Sequence, residues 1–187
     1  MSNYLFVAVD SRGLETRGKL DVSTQTEALR RIREMGLFPT RLAAETVVAH
    51  GADLGICLDG DADRVLILDE HGRPADGDQI MAVLAVAKRD AGSLKSNTVV
   101  STVMANLGFK IAMQNEKINV VETAVGDRYV LEAMRDGGFN FGGEQSGHIV
   151  LSEFATTGDG VLTALHLMSE MKETSKSVAE LASIVNR

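Results

Sequence analysis

Three carboxylates within six residues are the part of this sequence best suited to chemistry. Asp59, Asp61 and Asp63 stand at i, i+2 and i+4 of Asp59-Gly-Asp-Ala-Asp-Arg64, directly after the apolar run Leu54-Gly-Ile-Cys-Leu58. In an extended or looping backbone alternate side chains point the same way, so the three can converge on one point. Two like charges about 4 Å apart repel by about 1 kcal/mol in water and by about 4 kcal/mol at an effective dielectric of about 20. A hard cation would remove that repulsion. All-oxygen ligation with no His or Cys nearby favours Mg²⁺ or Ca²⁺ over Zn²⁺. The plain alternative is a solvated acidic turn. An EF-hand fits poorly: its bidentate Glu would be Glu70, yet Val65-Leu-Ile-Leu68 in between has the pattern of a buried strand. A cation here would sit between two strands.

Three other loops carry polar groups at the ends of expected strands, where ligands bind in α/β sheets. Gly142-Gly-Glu-Gln-Ser-Gly-His148 combines glycines that let a backbone approach a ligand with donors and acceptors suited to hydroxyl groups, on Glu144, Gln145, Ser146 and His148. A hairpin with a polar tip would look the same, and His148 could be a structural histidine or a base. Ala124-Val-Gly-Asp-Arg-Tyr129 places Asp127 as a natural N-cap and leaves Arg128 free near the loop mouth, suited to an anionic or hydroxylated ligand. Thr156-Thr-Gly-Asp-Gly160 opens a helix, and an N-cap plus turn accounts for it.

The elements that must position these loops follow from hydrophobic period and turn chemistry. Strands are expected over residues 4–9 and 17–22 around a turn at 10–13, then a helix from Thr24, with Glu27 completing a capping box. That helix carries Ala28, Leu29, Ile32 and Met35 and stops at Gly36. Beyond about residue 42 strands and helices alternate. A short helix at 47–49 leads to strands at 53–58 and 65–69. A helix opened by Asp76-Gly-Asp78 is followed by a strand at 98–102, a helix through Leu107, Ile111 and Met113, and a strand at 119–122. A helix over 128–135, strand-like runs at 139–142 and 148–151, and helices over 160–174 and 178–185 complete the chain. This alternation predicts α/β layers over a largely covered sheet.

Composition narrows the function classes. At 187 residues and 44% hydrophobic content the chain can bury a core. A net charge of −7 argues against nucleic-acid binding, and 4% aromatics with no Trp argue against base stacking. One cysteine, Cys57, in an apolar run excludes a disulfide framework. With no apolar stretch of membrane-span length and no basic-then-apolar leader, a soluble cytoplasmic protein is expected.

The motifs resemble a known family. Asp59-Gly-Asp-Ala-Asp-Arg64, Asp76-Gly-Asp-Gln-Ile80, Val125-Gly-Asp-Arg-Tyr-Val130, Gly143-Glu-Gln-Ser-Gly-His148 and Thr156-Thr-Gly-Asp-Gly160 stand in the order found in bacterial phosphoglucosamine mutases, of the α-D-phosphohexomutase superfamily. The resemblance runs from about residue 42 to the C-terminus. It implies a layered α/β/α domain with a mixed sheet, preceded by a small ββα unit. The implied division is 1–41, then 42–72 as the end of the family's second domain with the metal loop, then 73–187 as its third domain. It further implies Mg²⁺ on Asp59, Asp61 and Asp63, and sugar-hydroxyl contacts from Glu144 and Ser146. His148 and Arg128 would lie near the substrate, with His148 and Arg64 as auxiliary groups. The reaction implied interconverts glucosamine 6-phosphate and glucosamine 1-phosphate through a bisphosphate, and phosphoryl transfer of this kind depends on positioning and charge neutralisation.

The departures shape the expectation. No segment resembles the family's Thr-Ala-Ser-His-Asn-Pro-like phosphoserine loop or its Arg-x-Ser-Gly-Thr-Glu-Pro-type phosphate loop, and Ser101 in Val99-Val-Ser-Thr102 is no substitute. A truncated chain, inactive by itself, is therefore expected. Tyr4-Leu-Phe-Val-Ala-Val-Asp-Ser-Arg-Gly13 and Ala28-Leu-Arg-Arg-Ile-Arg-Glu-Met-Gly-Leu-Phe-Pro39 instead resemble the N-terminal segment of type II secretion and type IV pilus inner-membrane platform proteins. A chimera with its seam near 40–45 follows. The alternative is a non-catalytic binding or assembly module, or a segment active only beside a complementary chain. Strands 54–58 and 65–68 are expected to leave an apolar sheet edge, open to the N-terminal strands, to a second copy or to a complementary chain.

Overall fold

A computed structural model describes residues 2–10, 14–22, 25–39 and 47–185. The Thr24 cap, the tip of the turn at 11–13 and the seam at 40–45 lie outside the described residues. Strands β1 (Ser2–Val9) and β2 (Glu15–Val22) pair antiparallel as a two-stranded sheet of their own. Helix α1 (Gln25–Glu34) lies against them through Ala28 and Ile32, which are buried. Met35, expected on its apolar face, is exposed in the turn that ends at left-handed Gly36.

After a helical turn at 47–50, β3 (Gly55–Leu58), β4 (Val65–Leu68) and β5 (Pro74–Ala75) form an antiparallel sheet in the order β3-β4-β5. The expected apolar edge is narrower than the sequence suggests. All four residues of β4 are buried, and the exposed apolar residue is Ile56 of β3. The N-terminal strands do not join this sheet. Val9 bridges to Phe38 within the N-terminal unit, and an apolar cluster of Val9, Phe38, Val47, Cys57, Leu66 and Leu68 joins that unit to the sheet. Alternation along β4 divides its side chains, because successive residues face opposite sides. Leu66 and Leu68 enter that cluster, while Val65 and Ile67 enter the main core.

The main body is a four-stranded mixed sheet. It contains β6 (Thr98–Thr102), β7 (Asn119–Thr123), β8 (Phe141–Gly143) and β9 (Ile149–Leu151), in the order β7-β6-β8-β9. Strand β6 runs parallel to β7 and β8, and β9 returns antiparallel to β8. Helices α2 (Gly77–Asp90), α3 (Leu107–Asn115) and α5 (Gly160–Thr174) cover one face, packing Ile80, Met81, Phe109, Met113 and Leu167 against Val99, Phe141 and Ile149. Helix α4 (Asp127–Gly137) covers the other with Val130 and Met134 on Val100 and Val150. The short α6 (Val178–Ala182) closes against α2. This is the layered α/β/α architecture with a mixed sheet. Full burial of side chains such as Ile80 and Phe109 stabilises by about 1.5–3 kcal/mol each and holds the strand ends where the loops meet.

Candidate active site

Between β3 and β4 the chain bends through residues 60–63, with Ala62 in the left-handed region at φ 62°. That turn, rather than strand alternation, brings the three carboxylates together: one oxygen from each of Asp59, Asp61 and Asp63 lies within 4.8 Å of the others. Asp59 is buried, Asp63 half-buried and Asp61 exposed, so the cluster opens to solvent on one side. The Arg64 Nε sits 2.9 Å from Asp59 Oδ2 and 3.6 Å from Asp63 Oδ1, and the Arg64 amide donates to Asp59 Oδ1. Burial, the adjoining Asp59 carboxylate and the charge of Asp61 push the Asp63 carboxyl above its ordinary value, against the opposing pull of His148. Asp63 Oδ1 has no hydrogen-bond partner among the described residues. Crowded, all-oxygen and one-sided, this donor set fits a hard divalent cation.

The loop borders an open crevice of about 530 Å³ at the carboxyl ends of β6 and β7. Asp63 and Arg64 form one wall, Thr102 and Met104 another, Val125, Gly126 and Asp127 a third, and Glu144, Gln145, Ser146 and His148 a fourth. The β8–β9 hairpin sets that last wall. Gly147, at φ 87°, lies so close to β4 that a Cβ would overlap the Val65 carbonyl oxygen, and the Val65 amide donates to the Gly147 carbonyl. Glu144 Oε1 accepts the Gly126 amide at 3.0 Å, tying the hairpin to the turn before α4. His148 is buried with Nε2 3.6 Å from Asp63 Oδ2. Its Nδ1 and the Ser146 Oγ are buried without a hydrogen-bond partner among the described residues. Orphaned buried polar atoms lining a crevice are what a hydroxylated ligand would satisfy.

Asp59, Asp61, Asp63, Arg64, Glu144, Ser146 and His148 thus gather in one place. Arg128 does not join them. It is the second residue of α4, its side chain is 79% exposed, and its Nε donates to Glu132 Oε1 at 2.8 Å along the helix. The N-cap of α4 is Gly126, not Asp127; Asp127 occupies the first helical position and its carboxylate accepts the Arg128 amide. Gln145 lines the crevice beside Glu144 and Ser146, whereas Thr102, at the end of β6, has no motif around it that marks it as a site residue. Met104 gives no local signal at all. Asp78, noted only as opening a helix, is fully buried and accepts the Asn106 amide at 2.8 Å, fastening the turn that carries Met104.

Residues 76–187 match the family model for phosphoglucomutase/phosphomannomutase, alpha/beta/alpha domain III. The chain belongs to the phosphoglucomutase/phosphomannomutase family. Within that family it is 57% identical over 154 residues to the phosphoglucosamine mutase of Arthrobacter sp. (strain FB24), covering 81% of this chain and 34% of that relative. The chain therefore spans about a third of the length of the curated relatives it matches. Among solved structures, a phosphoglucomutase/phosphomannomutase family protein from Burkholderia thailandensis aligns with TM-score 0.71 at 18% identity, over 84% of this chain and 33% of that one. Aspergillus fumigatus N-acetylphosphoglucosamine mutase, in complex with GlcNAc-6P and magnesium, aligns with TM-score 0.58 at 25% identity, over 70% of this chain and 35% of that one. Residues 1–43, by contrast, match the N-terminal domain of type II secretion system protein F.

Proposed function

We propose that this chain carries the divalent-cation loop and the sugar-facing crevice of a phosphoglucosamine-mutase-type phosphoryl transfer. The observation that carries this reading is the convergence of Asp59, Asp61 and Asp63 at the mouth of a crevice also lined by Glu144, Ser146 and His148. Mg²⁺ held by the three aspartates would supply charge neutralisation for a transferring phosphoryl group. Glu144 and Ser146 would bind sugar hydroxyls, with the Glu144 carboxylate held in place by Gly126. Arg64 and His148 would face the phosphate end, where a cationic and a donor group suit an anion. Arg128 would have to release Glu132 to take part. The substrate class, an amino-hexose phosphate, is supported by the phosphoglucosamine mutase relatives.

The proposed division into 1–41, 42–72 and 73–187 is supported by the separate sheets and the different families matched at either end. In the full reaction a phosphoserine and a second phosphate grip would act on the same substrate, and the 187 residues contain no segment resembling either. This chain alone is accordingly expected to bind Mg²⁺ and glucosamine 6-phosphate without turning it over. Calorimetric titration with Mg²⁺ and NMR titration with glucosamine 6-phosphate test the reading, with Asp61→Ala abolishing the cation response. No cation binding by the unmodified chain would overturn it, and robust conversion in a coupled assay would overturn the expected inactivity.

A further inference from the structure

The acidic loop is gripped from outside its own hairpin. The Gly160 amide, at the start of α5, donates to the Ala62 carbonyl at 2.8 Å. That is the left-handed residue whose turn swings Asp61 and Asp63 together. A Cβ on Gly160 would stand 2.7 Å from the Arg64 carbonyl oxygen and 2.8 Å from Leu58 Cδ2, so only glycine allows α5 to start this close. On the far side of the loop the Val65 amide donates to Gly147, as described above. Asp59 to Arg64 is therefore clamped at Ala62 and at Val65 by two segments of the main body. In the turn before Gly160, Gly158 packs under the His148 ring, where a Cβ would stand 2.5 Å from Nε2. Asp159 caps α5 by accepting the Leu162 amide, and its carbonyl accepts the buried Thr163 hydroxyl. These bonds tie the turn behind the loop to the first turn of α5.

We infer that Gly160 is a positioning residue for the cation site, holding Ala62 so that Asp59, Asp61 and Asp63 stay converged; this rests on the proposed cation reading. Three carboxylates repel one another, and a loop secured only by its own hairpin would relax by spreading them. The main-chain bond to Gly160 opposes that spreading at the residue where the turn is made. By reciprocity, a cation that prefers the converged loop must in turn strengthen the Gly160–Ala62 bond.

Amide exchange on the unmodified chain and Mn²⁺ titration of variants test this together. Saturating Mg²⁺ is expected to slow exchange of the Gly160 and Val65 amides at least tenfold, and unchanged exchange at Gly160 would overturn the inference even if no variant folds. Gly160→Ala is expected to bind Mn²⁺ at least tenfold more weakly, followed by the electron paramagnetic resonance signal of free Mn²⁺. Met134→Ala, which loosens the opposite face of the sheet, is expected to keep its Mn²⁺ affinity. Equal affinity of Gly160→Ala and the unmodified chain overturns the inference alone, as does an equal loss in Met134→Ala. An unmodified chain that binds no Mn²⁺ overturns the cation reading and the inference with it.

Discussion

At Ala62 one backbone angle separates two ways of gathering carboxylates. Spacing at i, i+2 and i+4 is compatible with strand alternation, but the chain instead turns, and the turn brings Asp63 under the influence of Asp59. Local sequence was enough to mark these aspartates because like charges are seldom crowded without a reason. It was insufficient for Asp78, whose purpose depends on Asn106 arriving from another loop. Asp78→Ala strips the half-buried Asn106 amide of its acceptor, and a donor left unsatisfied away from water costs about 1–3 kcal/mol. Urea denaturation should show a loss of that size. Gly147→Ala should cost at least as much: its left-handed conformation alone is worth about 1–3 kcal/mol to a side chain, and its Cβ must also displace the Val65 carbonyl. A midpoint unchanged in Gly147→Ala would mean the hairpin can shift without penalty.

Capping chemistry explains why most elements were legible in advance. Asp76 and Gln79 close a capping box at α2, Asp159 caps α5, and Gly138 ends α4 in the left-handed region, all from residues adjacent in sequence. Ties between elements were not legible. Lys88 of α2 reaches Glu153 after β9 at 2.6 Å, and Asn140 donates to the same carboxylate at 2.7 Å. Burial alone would raise the Glu153 carboxyl, but the hydrogen bonds from Lys88 and Asn140 outweigh it and hold the group below its ordinary value of 4.5. A carboxyl depressed on folding adds stability above pH 4.5, and this is lost as pH falls through the lower folded value. Glu153→Gln should therefore be less stable than the unmodified chain at pH 7, with a narrower gap at a pH below 4.5. Thermal melts at the two pH values check it, and a constant gap would rule out a charge-dependent tie.

β4 is the element on which the whole molecule turns, since its alternating side chains serve two cores. Phe38, 2% exposed, is the main contribution of the N-terminal unit to the smaller one. Phe38→Ala should cost about 3–5 kcal/mol by transfer and cavity formation. Burial raises the Cys57 thiol above its ordinary value despite the nearby Arg33, so Cys57 should label slowly in the intact chain. The same Phe38→Ala change should speed that labelling at least tenfold, as thiol-reagent kinetics would show. Unchanged kinetics would mean that the β3–β4 sheet shields Cys57 without help from the N-terminal unit.

Hydrophobic period, helix caps and five motifs in order sufficed, by sequence alone, for the α/β layering and for where the acidic and polar loops lie along the chain. These features depend on neighbours within a few residues, so a linear reading contains them. Only the tertiary structure decided that β1 and β2 pair with each other and stay apart from β3. It alone placed Gly160 and Gly147 on either side of the acidic loop. Those outcomes depend on main-chain groups and side-chain directions meeting across the fold. Such meetings leave no period or spacing in the sequence to announce them.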